Sequence, residues 1–453
     1  MTRMASPSRA TIQDHSLTVN AQALTMLRAF RWQGRRSTRG TTAVEAPTGR
    51  VAVDTLTNEF WTSRQRAASS LHEISYRACF KPQLPRFFID RFTRPGQVVY
   101  DPFMGRGTTV LEAALHGRHA IGCDINPLSA ILVQPRLAPP SIEAVRARLD
   151  SIDFSRTVSV PEELLVFYHP ETLREICALR EYLHARAQSA ALDAVDQWIR
   201  MVAVNRLTGH STGFFSVYTL PPNQALSLES QRRINADRRQ TPPRRHVGAL
   251  ILAKSRSLLK DCDAASLRIL ARTARHHCIL TGQSSSTPQI RSGTVDLVVT
   301  SPPFLDVVDY AGDNWLRGWF CGIDTATVKL TVVRKLDEWQ RAMTDVFVEL
   351  ARVLRPGGHV AFEVGEVRGG RVKLEEAVLP CGLTAGLEPH LVLINAQQFT
   401  KTANCWGVSN NRKGTNTNRI VVFRKAERSR LPAKAHAWIK VRQRERGGVQ
   451  SSR

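Results

Sequence analysis

A short unit in the first third of the chain narrows the available folds more than any other stretch. Gln97-Val98-Val99-Tyr100-Asp101 reads as an apolar strand that runs into Pro102-Phe103-Met104-Gly105-Arg106-Gly107-Thr108-Thr109, and Val110 to Leu115 begins a helix. His119 to Ile125 is then a second strand, with Asp124 at its end. Strand, glycine-rich turn, helix, strand and acid follow the βαβ logic of a nucleotide-type cofactor site. Glycines such as Gly105 and Gly107 let a backbone approach a ligand closely. Asp124 lies about 20 residues beyond the turn, the distance at which an acid reaches ribose hydroxyls. The turn is not G-x-G-x-x-G, and no lysine follows it as in a P-loop. The pattern therefore argues against a dinucleotide pyrophosphate or a nucleoside triphosphate, and for a nucleoside held by its ribose. An ordinary tight strand-to-helix turn is the plain alternative.

A second stretch supplies chemistry. Val295-Asp296-Leu297-Val298-Val299, entered from Ser292-Gly293, reads as a buried strand of a parallel sheet. It stops at Thr300-Ser301-Pro302-Pro303-Phe304, because neither proline can donate to a ladder. A small hydroxyl, two rigid prolines and an aromatic ring then sit at the carboxyl end of a strand, where open α/β sheets bind ligands. The Phe304 ring can stack on a flat substrate. Ser301 Oγ and nearby carbonyls can accept hydrogen bonds from an amine. That set suits a nucleobase with an exocyclic NH2, although such strings also end ordinary strands.

Composition points to the partner. The chain has 453 residues, 42% hydrophobic and 23% charged, ordinary for a soluble globular protein and enough for two or three domains. Its net charge of +24 favours a polyanionic partner, most simply nucleic acid rather than an anionic membrane. No apolar run is long enough to span a bilayer. The eight cysteines are scattered without a C-x-x-C pair, as in a reduced protein, and a cytoplasmic location is expected. His276-His277-Cys278 has no second ligand cluster at finger-like spacing, so a structural role is expected there and no metal.

The texture changes four times along the chain. Residues 1–50 carry Arg28, Arg31, Arg35, Arg36 and Arg39 with little hydrophobic periodicity after Phe30, as a basic flexible extension would. Residues 51–140 make a first, cofactor-binding half, with a helix over Arg86 to Phe92. Pro139-Pro140 opens a basic, mainly helical insertion over 141–275, with an amphipathic helix from Asp193 to Leu207. Phe214-Phe215 and then Arg232, Arg233, Arg238, Arg239, Arg244 and Arg245 give this insertion the make-up of a nucleic-acid surface. Residues 276–425 make a second, catalytic half. Its strand candidates are His276 to Thr281, His359 to Val364, Leu391 to Ile394 and Arg419 to Phe423. A helix from about Asp337 to Val353 ends at the turn Arg355-Pro356-Gly357-Gly358. A polar loop runs from Asn404 to Asn418, and residues 426–453 form a basic tail.

Taken in order, these motifs resemble the DNA amino-methyltransferases, which use S-adenosylmethionine to methylate N4 of cytosine or N6 of adenine. Asp101 to Thr109 is similar to the family's cofactor turn D-P-F-x-G-x-G-T, Phe80-Lys81-Pro82 to the segment upstream of it, and Asp124 to the acid of the second strand. Thr300 to Phe304 is similar to the catalytic motif [DNS]-P-P-[YFW]. The resemblance covers Phe80 to Ile125 and Val295 to Lys425. It implies a Rossmann-like, mostly parallel α/β sheet of the S-adenosylmethionine-dependent methyltransferase type. Cofactor contacts are implied from Phe80, Pro82, Asp101, Pro102, Phe103, Gly105, Gly107, Thr108, Asp124 and Asn126, and catalysis by Ser301, Pro302, Pro303 and Phe304. One departure stands out: Thr281-Gly282-Gln283-Ser284 lacks the acid that often contacts the cofactor's adenine. The order of the halves makes the insertion the candidate target-recognition region, with its six arginines on DNA.

The implied activity is site-specific methylation of duplex DNA with base flipping, as in a restriction-modification system that can include a cognate endonuclease. Serine in the first motif position is more common among N4-cytosine enzymes, so N4-cytosine is expected ahead of N6-adenine. An RNA base-methyltransferase shares both motifs but usually carries an RNA-binding module. A non-catalytic DNA-binding protein would not need both motifs intact.

Overall fold

The computed structural model describes residues 22–46, 49–61, 68–76, 79–219, 225–303, 310–324, 328, 335–367, 372–396 and 417–427. Among them, nine strands form one sheet. These are β1 (Thr38–Ala46), β2 (Gly49–Asn58), β3 (Val98–Asp101), β4 (His119–Asp124), β5 (Cys278–Thr281), β6 (Val295–Thr300), β7 (Leu354–Val364), β8 (Leu387–Ala396) and β9 (Thr417–Lys425). Their spatial order is β1-β2-β8-β9-β7-β6-β3-β4-β5. From β7 to β5 all neighbours are parallel, while β9 runs antiparallel to both β7 and β8.

Both faces of the central strands are covered, which explains their unbroken apolar runs. Side chains alternate across the sheet. Val99, Leu297, Val299 and Ala361 join a core with helices α1 (Gln83–Phe92), α2 (Thr108–Leu115) and α3 (Pro127–Leu137). Tyr100, Val298, Val360 and Phe362 point the other way, into a second core with α11 (Leu336–Val353) and α12 (Leu374–Thr384).

The insertion carries α4 (Ile142–Asp150), α5 (Pro170–Gln188), α6 (Ala194–Val204), α7 (Leu228–Asp237), α8 (Val247–Leu259) and α9 (Ala264–Thr273), and α10 (Tyr310–Cys321) follows β6. The insertion's buried Trp198, Ile199, Val202 and Ile251 belong to the same core as Leu132 of α3. It thickens one helical layer rather than forming a core of its own. Capping signals set its helix starts: Ser141 Oγ accepts from Ala144 N at 3.1 Å, and Asp193 and Asp196 cap α6 reciprocally.

Two expectations need correction. Residues 22–50 are not a flexible extension. A helical segment at 22–28 buries Ala23, Leu24 and Leu27, and Phe30 packs 5.1 Å from Phe60. The β1–β2 hairpin then becomes the far edge of the main sheet, with β2 parallel to β8 through Val392 opposite Thr55 and Asn395 opposite Asn58. Asn395 Oδ1 also accepts from Phe60 N at 2.7 Å, tying the start of the chain to its end. At this edge only one side of β1 is even partly covered, by Thr42, Val44 and Ala46, so the strand needs few hydrophobic residues. The turn Arg355-Pro356-Gly357-Gly358 is likewise not outside the strand. It is a bulge within β7, where Leu354 opposes Val295 and His359 opposes Leu297. Gly357 has φ +76°, and a Cβ on Gly358 would lie 3.0 Å from the Arg355 carbonyl, so this bulge requires glycine. The Asn404 to Asn418 loop lies outside the described residues apart from its last two, Thr417 and Asn418, as does nearly all of the 426–453 tail.

Candidate active site

Strand order reverses between β3 and β6: β4 and β5 continue on one side, β7 to β8 on the other. Open α/β sheets bind ligands in the crevice beyond such a reversal, at the carboxyl ends of the strands. The two motifs meet there, because Val99 pairs with Leu297 and Tyr100 with Val298. Thr300 Oγ1 donates to Asp101 Oδ1 at 2.6 Å.

The glycine turn is held by carboxylates from beneath. Asp101 is 1% exposed and also accepts from Phe103 N at 3.1 Å. Burial pushes its carboxyl up to about 7, against the hydrogen bonds from Thr300 and Phe103 that favour the charged form. Asp101 thus brackets β3 to β6 from inside. Asp124 is half-buried; its Oδ2 accepts from Gly105 N at 2.8 Å and its Oδ1 from Asn126 N at 2.9 Å. Burial raises this carboxyl too. Asn126 is buried and caps α3, accepting from Leu128 N at 3.0 Å ahead of Pro127.

The two glycines differ in purpose. Gly105 has φ +49° and faces Tyr76, whose Cε1 would lie 3.5 Å from an added Cβ. Gly107 has φ +75°, and its Cβ would strike Val133 Cγ2 at 2.4 Å. Gly107 therefore makes room for α3 rather than for a ligand. Thr108 is buried at the start of α2, Pro102 is buried, and Phe103 is half-buried. Upstream, Phe80 is half-buried and Pro82 buried just before α1. The missing acid after β5 leaves a backbone tie: Gly282 N donates to the Asp124 carbonyl at 2.9 Å, and Ser284 Oγ donates to the Pro102 carbonyl.

At the end of β6, Ser301 and Pro303 are half-buried and Pro302 is buried. Trp339 Nε1 donates to the Pro303 carbonyl at 2.9 Å, fixing the proline pair from α11. Phe304 lies outside the described residues. A residue that the motifs do not reveal completes the set. Glu363, at the end of β7, is 5% exposed and lies beside the Ser301 side chain, and its Oε1 accepts from Asn418 Nδ2 at 2.8 Å. Burial lifts Glu363 to about 7, opposed by its Ser301 and Asn418 neighbours. The register that sets Thr300 opposite Phe362 brings Ser301 beside it.

A family model described as DNA methylase, of the N6/N4 type, matches residues 20–131. The chain is 24% identical over 297 residues to the type II methyltransferase M.BsoBI of Geobacillus stearothermophilus, covering 57% of this chain and 54% of that protein. It is 32% identical over 85 residues to the type II methyltransferase M.MjaII of Methanocaldococcus jannaschii, covering 18% of this chain and 16% of that protein. Over the matched residues the chain is similar to the DNA amino-methyltransferases. It spans about half the length of the first of these relatives and less of the second. The family match takes in the β1–β2 hairpin together with the glycine turn, so the segment that reads as a tail is part of the family's unit. A geranyl diphosphate methyltransferase structure superposes with a TM-score of only 0.33 at 11% identity, over 76% of this chain and 85% of that one. The fold is read from strand order and register instead.

The six arginines of the insertion divide into two groups. Arg232, Arg233, Arg238 and Arg239 are exposed on and after α7. Arg233 pairs with Glu229 at 3.1 Å, and Arg238 lies 3.8 Å from the Tyr218 ring centre. Arg244 instead clamps α5, pairing with Glu171 and, at 2.8 Å, with Glu175. Arg245 is half-buried, its backbone exchanging hydrogen bonds with Thr172 Oγ1 at 2.7 and 3.0 Å. Arg244 and Arg245 thus join the interior of the insertion. Phe214 and Phe215 are buried, with Arg206 lying 4.0 Å over Phe214. Of the histidine cluster, His277 Nδ1 accepts from Ala120 N at 3.1 Å and His276 stacks on His119 at 4.2 Å. Among the described residues no group of three or more side chains is arranged to hold a metal, and no helix is long and apolar enough to cross a membrane.

Proposed function

We propose that this chain is an S-adenosylmethionine-dependent DNA methyltransferase acting on the N4 amine of cytosine in duplex DNA. One observation carries the reading: Ser301, at the reversal of strand order, lies beside the buried carboxyl of Glu363. The donor set beside it suits a nucleoside. Each Asp124 oxygen keeps a lone pair beyond its bond to a backbone N–H, and the left-handed Gly105 puts no side chain in the way. Phe80, Pro82, the 102–108 turn and Asp124 would hold the donor. When bound, it supplies an electrophilic sulfonium methyl.

The remaining chemistry belongs to the protein. The target amine is conjugated with its ring, and its lone pair becomes available only as the nitrogen pyramidalises. Ser301 Oγ, its own proton turned to Glu363, presents lone pairs that accept one amine hydrogen, and the Pro302 carbonyl can accept the other. When the nitrogen gains its methyl group it must lose a proton. That proton passes to Ser301 Oγ as the serine proton moves to Glu363, which at about 7 can hold it near neutral pH. Phe304 supplies the ring against which a flipped base stacks. Positioning and preorganised acceptors account for most of the rate. The test is nucleoside mass spectrometry of duplex DNA incubated with protein and S-adenosylmethionine. N4-methylcytosine is expected. N6-methyladenine would overturn the base assignment, and neither base would overturn the reading.

A further inference from the structure

We propose that Arg317, on α10, binds the carboxylate at the aminoacyl end of the methyl donor. The inference rests on the donor named above. Arg317 is 8% exposed, and its hydrogen bonds go to neutral oxygens: Nη1 to Asn314 Oδ1 at 2.7 Å and Nη2 to the Ser75 carbonyl at 3.2 Å. Asp313, one turn earlier, acts on it through space, and burial lowers its proton affinity. Desolvating a guanidinium for two bonds to neutral acceptors is unfavourable, so a cation kept in this state is suited to an anion that arrives with a ligand. The other buried arginine near the turn is already engaged. Arg136 donates to the carbonyls of Leu132, Leu71 and Arg106.

The position of Arg317 fits the task. It holds Ser75, and the next residue, Tyr76, packs on Gly105 of the cofactor turn. Arg106 of the turn grips the same strip, donating to the Ile74 carbonyl at 3.0 Å. The 74–76 strip therefore separates the turn from Arg317 by the width of one residue. A donor whose ribose meets Asp124 extends its α-amino acid from the 5′ carbon, away from the adenine, and a planar guanidinium with unused N–H groups matches a carboxylate in two-point fashion.

Calorimetry with two nucleosides tests this. S-adenosylhomocysteine carries the carboxylate and 5′-methylthioadenosine lacks it. For Arg317→Gln, affinity for S-adenosylhomocysteine should fall about tenfold or more while that for methylthioadenosine stays within about twofold. Arg317→Lys should keep an intermediate preference, and it carries the test if the glutamine variant melts early. Equal weakening of both ligands would mean that Arg317 only packs the strip, and unchanged affinities would also overturn the assignment. Wild-type protein that binds neither nucleoside would overturn the donor reading and Arg317's role with it. Wild-type protein that binds both, with no loss in the variants, would overturn Arg317 alone.

Discussion

Buried carboxylates are treated in opposite ways at the carboxyl ends of the central strands and in the insertion. In the insertion Asp196 is fully buried and is gripped by Arg148 and Arg186, and Glu175 by Arg244. At the strand ends Asp101 and Glu363 are as deeply buried, yet they rest on hydroxyls, an amide side chain and backbone N–H groups, and both are lifted to about 7. Arginine clamps hold a carboxylate in one place, as a structural joint requires. Neutral donors leave it able to change protonation near neutral pH, as proton transfer requires.

The contrast can be broken in several places. The largest effect is expected at Asp196. Asp196→Ala strands two arginines at a buried joint and should destabilise the protein by about 3–5 kcal/mol in denaturant titrations. A loss below about 1 kcal/mol would mean that the clamp is not structural. Glu363→Gln should then lower single-turnover methyl transfer about 100-fold or more, with donor affinity kept and the fold intact. Ser301→Ala should behave likewise, whereas Asp124→Ala should weaken donor binding more than turnover.

The pH dependence comes next. Both carboxyls have folded values above their ordinary 3.8 and 4.5, so between about 4 and 7 the folded state holds more protons than the unfolded chain. Stability should therefore be greatest at the acid end of that window and fall as pH rises through about 7. Glu363→Gln should remove about 2 kcal/mol of that decline in melts taken across the window. A profile unchanged by the substitution would mean that Glu363 is not held in this way. The smallest effect is expected on the surface. Replacing Arg232 and Arg239 with alanine should weaken duplex binding about tenfold and lower the salt slope by about 2, while Arg244→Ala should alter stability and leave the slope alone. Equal slopes in both would erase the division between the two groups of arginines.

These cases also show what a sequence can reveal. The βαβ unit was legible because glycines, prolines and a strand-terminal acid act locally. Thr300-Ser301-Pro302-Pro303 was legible for the same reason. Glu363 was not: an acid in His359-Val360-Ala361-Phe362-Glu363-Val364 gains meaning only from the register that sets Phe362 beside Thr300. The β1–β2 hairpin escaped because an edge strand covered on one side carries Thr41, Thr42 and Glu45 where a central strand would carry valines. Arg244 looked like its neighbours because its partners, Glu171 and Glu175, lie about 70 residues away. Gly107 has the look of a ligand-facing glycine, but only the packing of Val133 shows what occupies its space.

In the proposed function, Ser301 readies an exocyclic amine of DNA for methylation. Long-read sequencing of DNA from a non-methylating host expressing either wild type or Ser301→Ala tests it most directly. Wild type should leave N4-methylcytosine in one recurring sequence context, and the variant should leave that context unmodified. Equal modification by both proteins, or none by the wild type, would contradict the account.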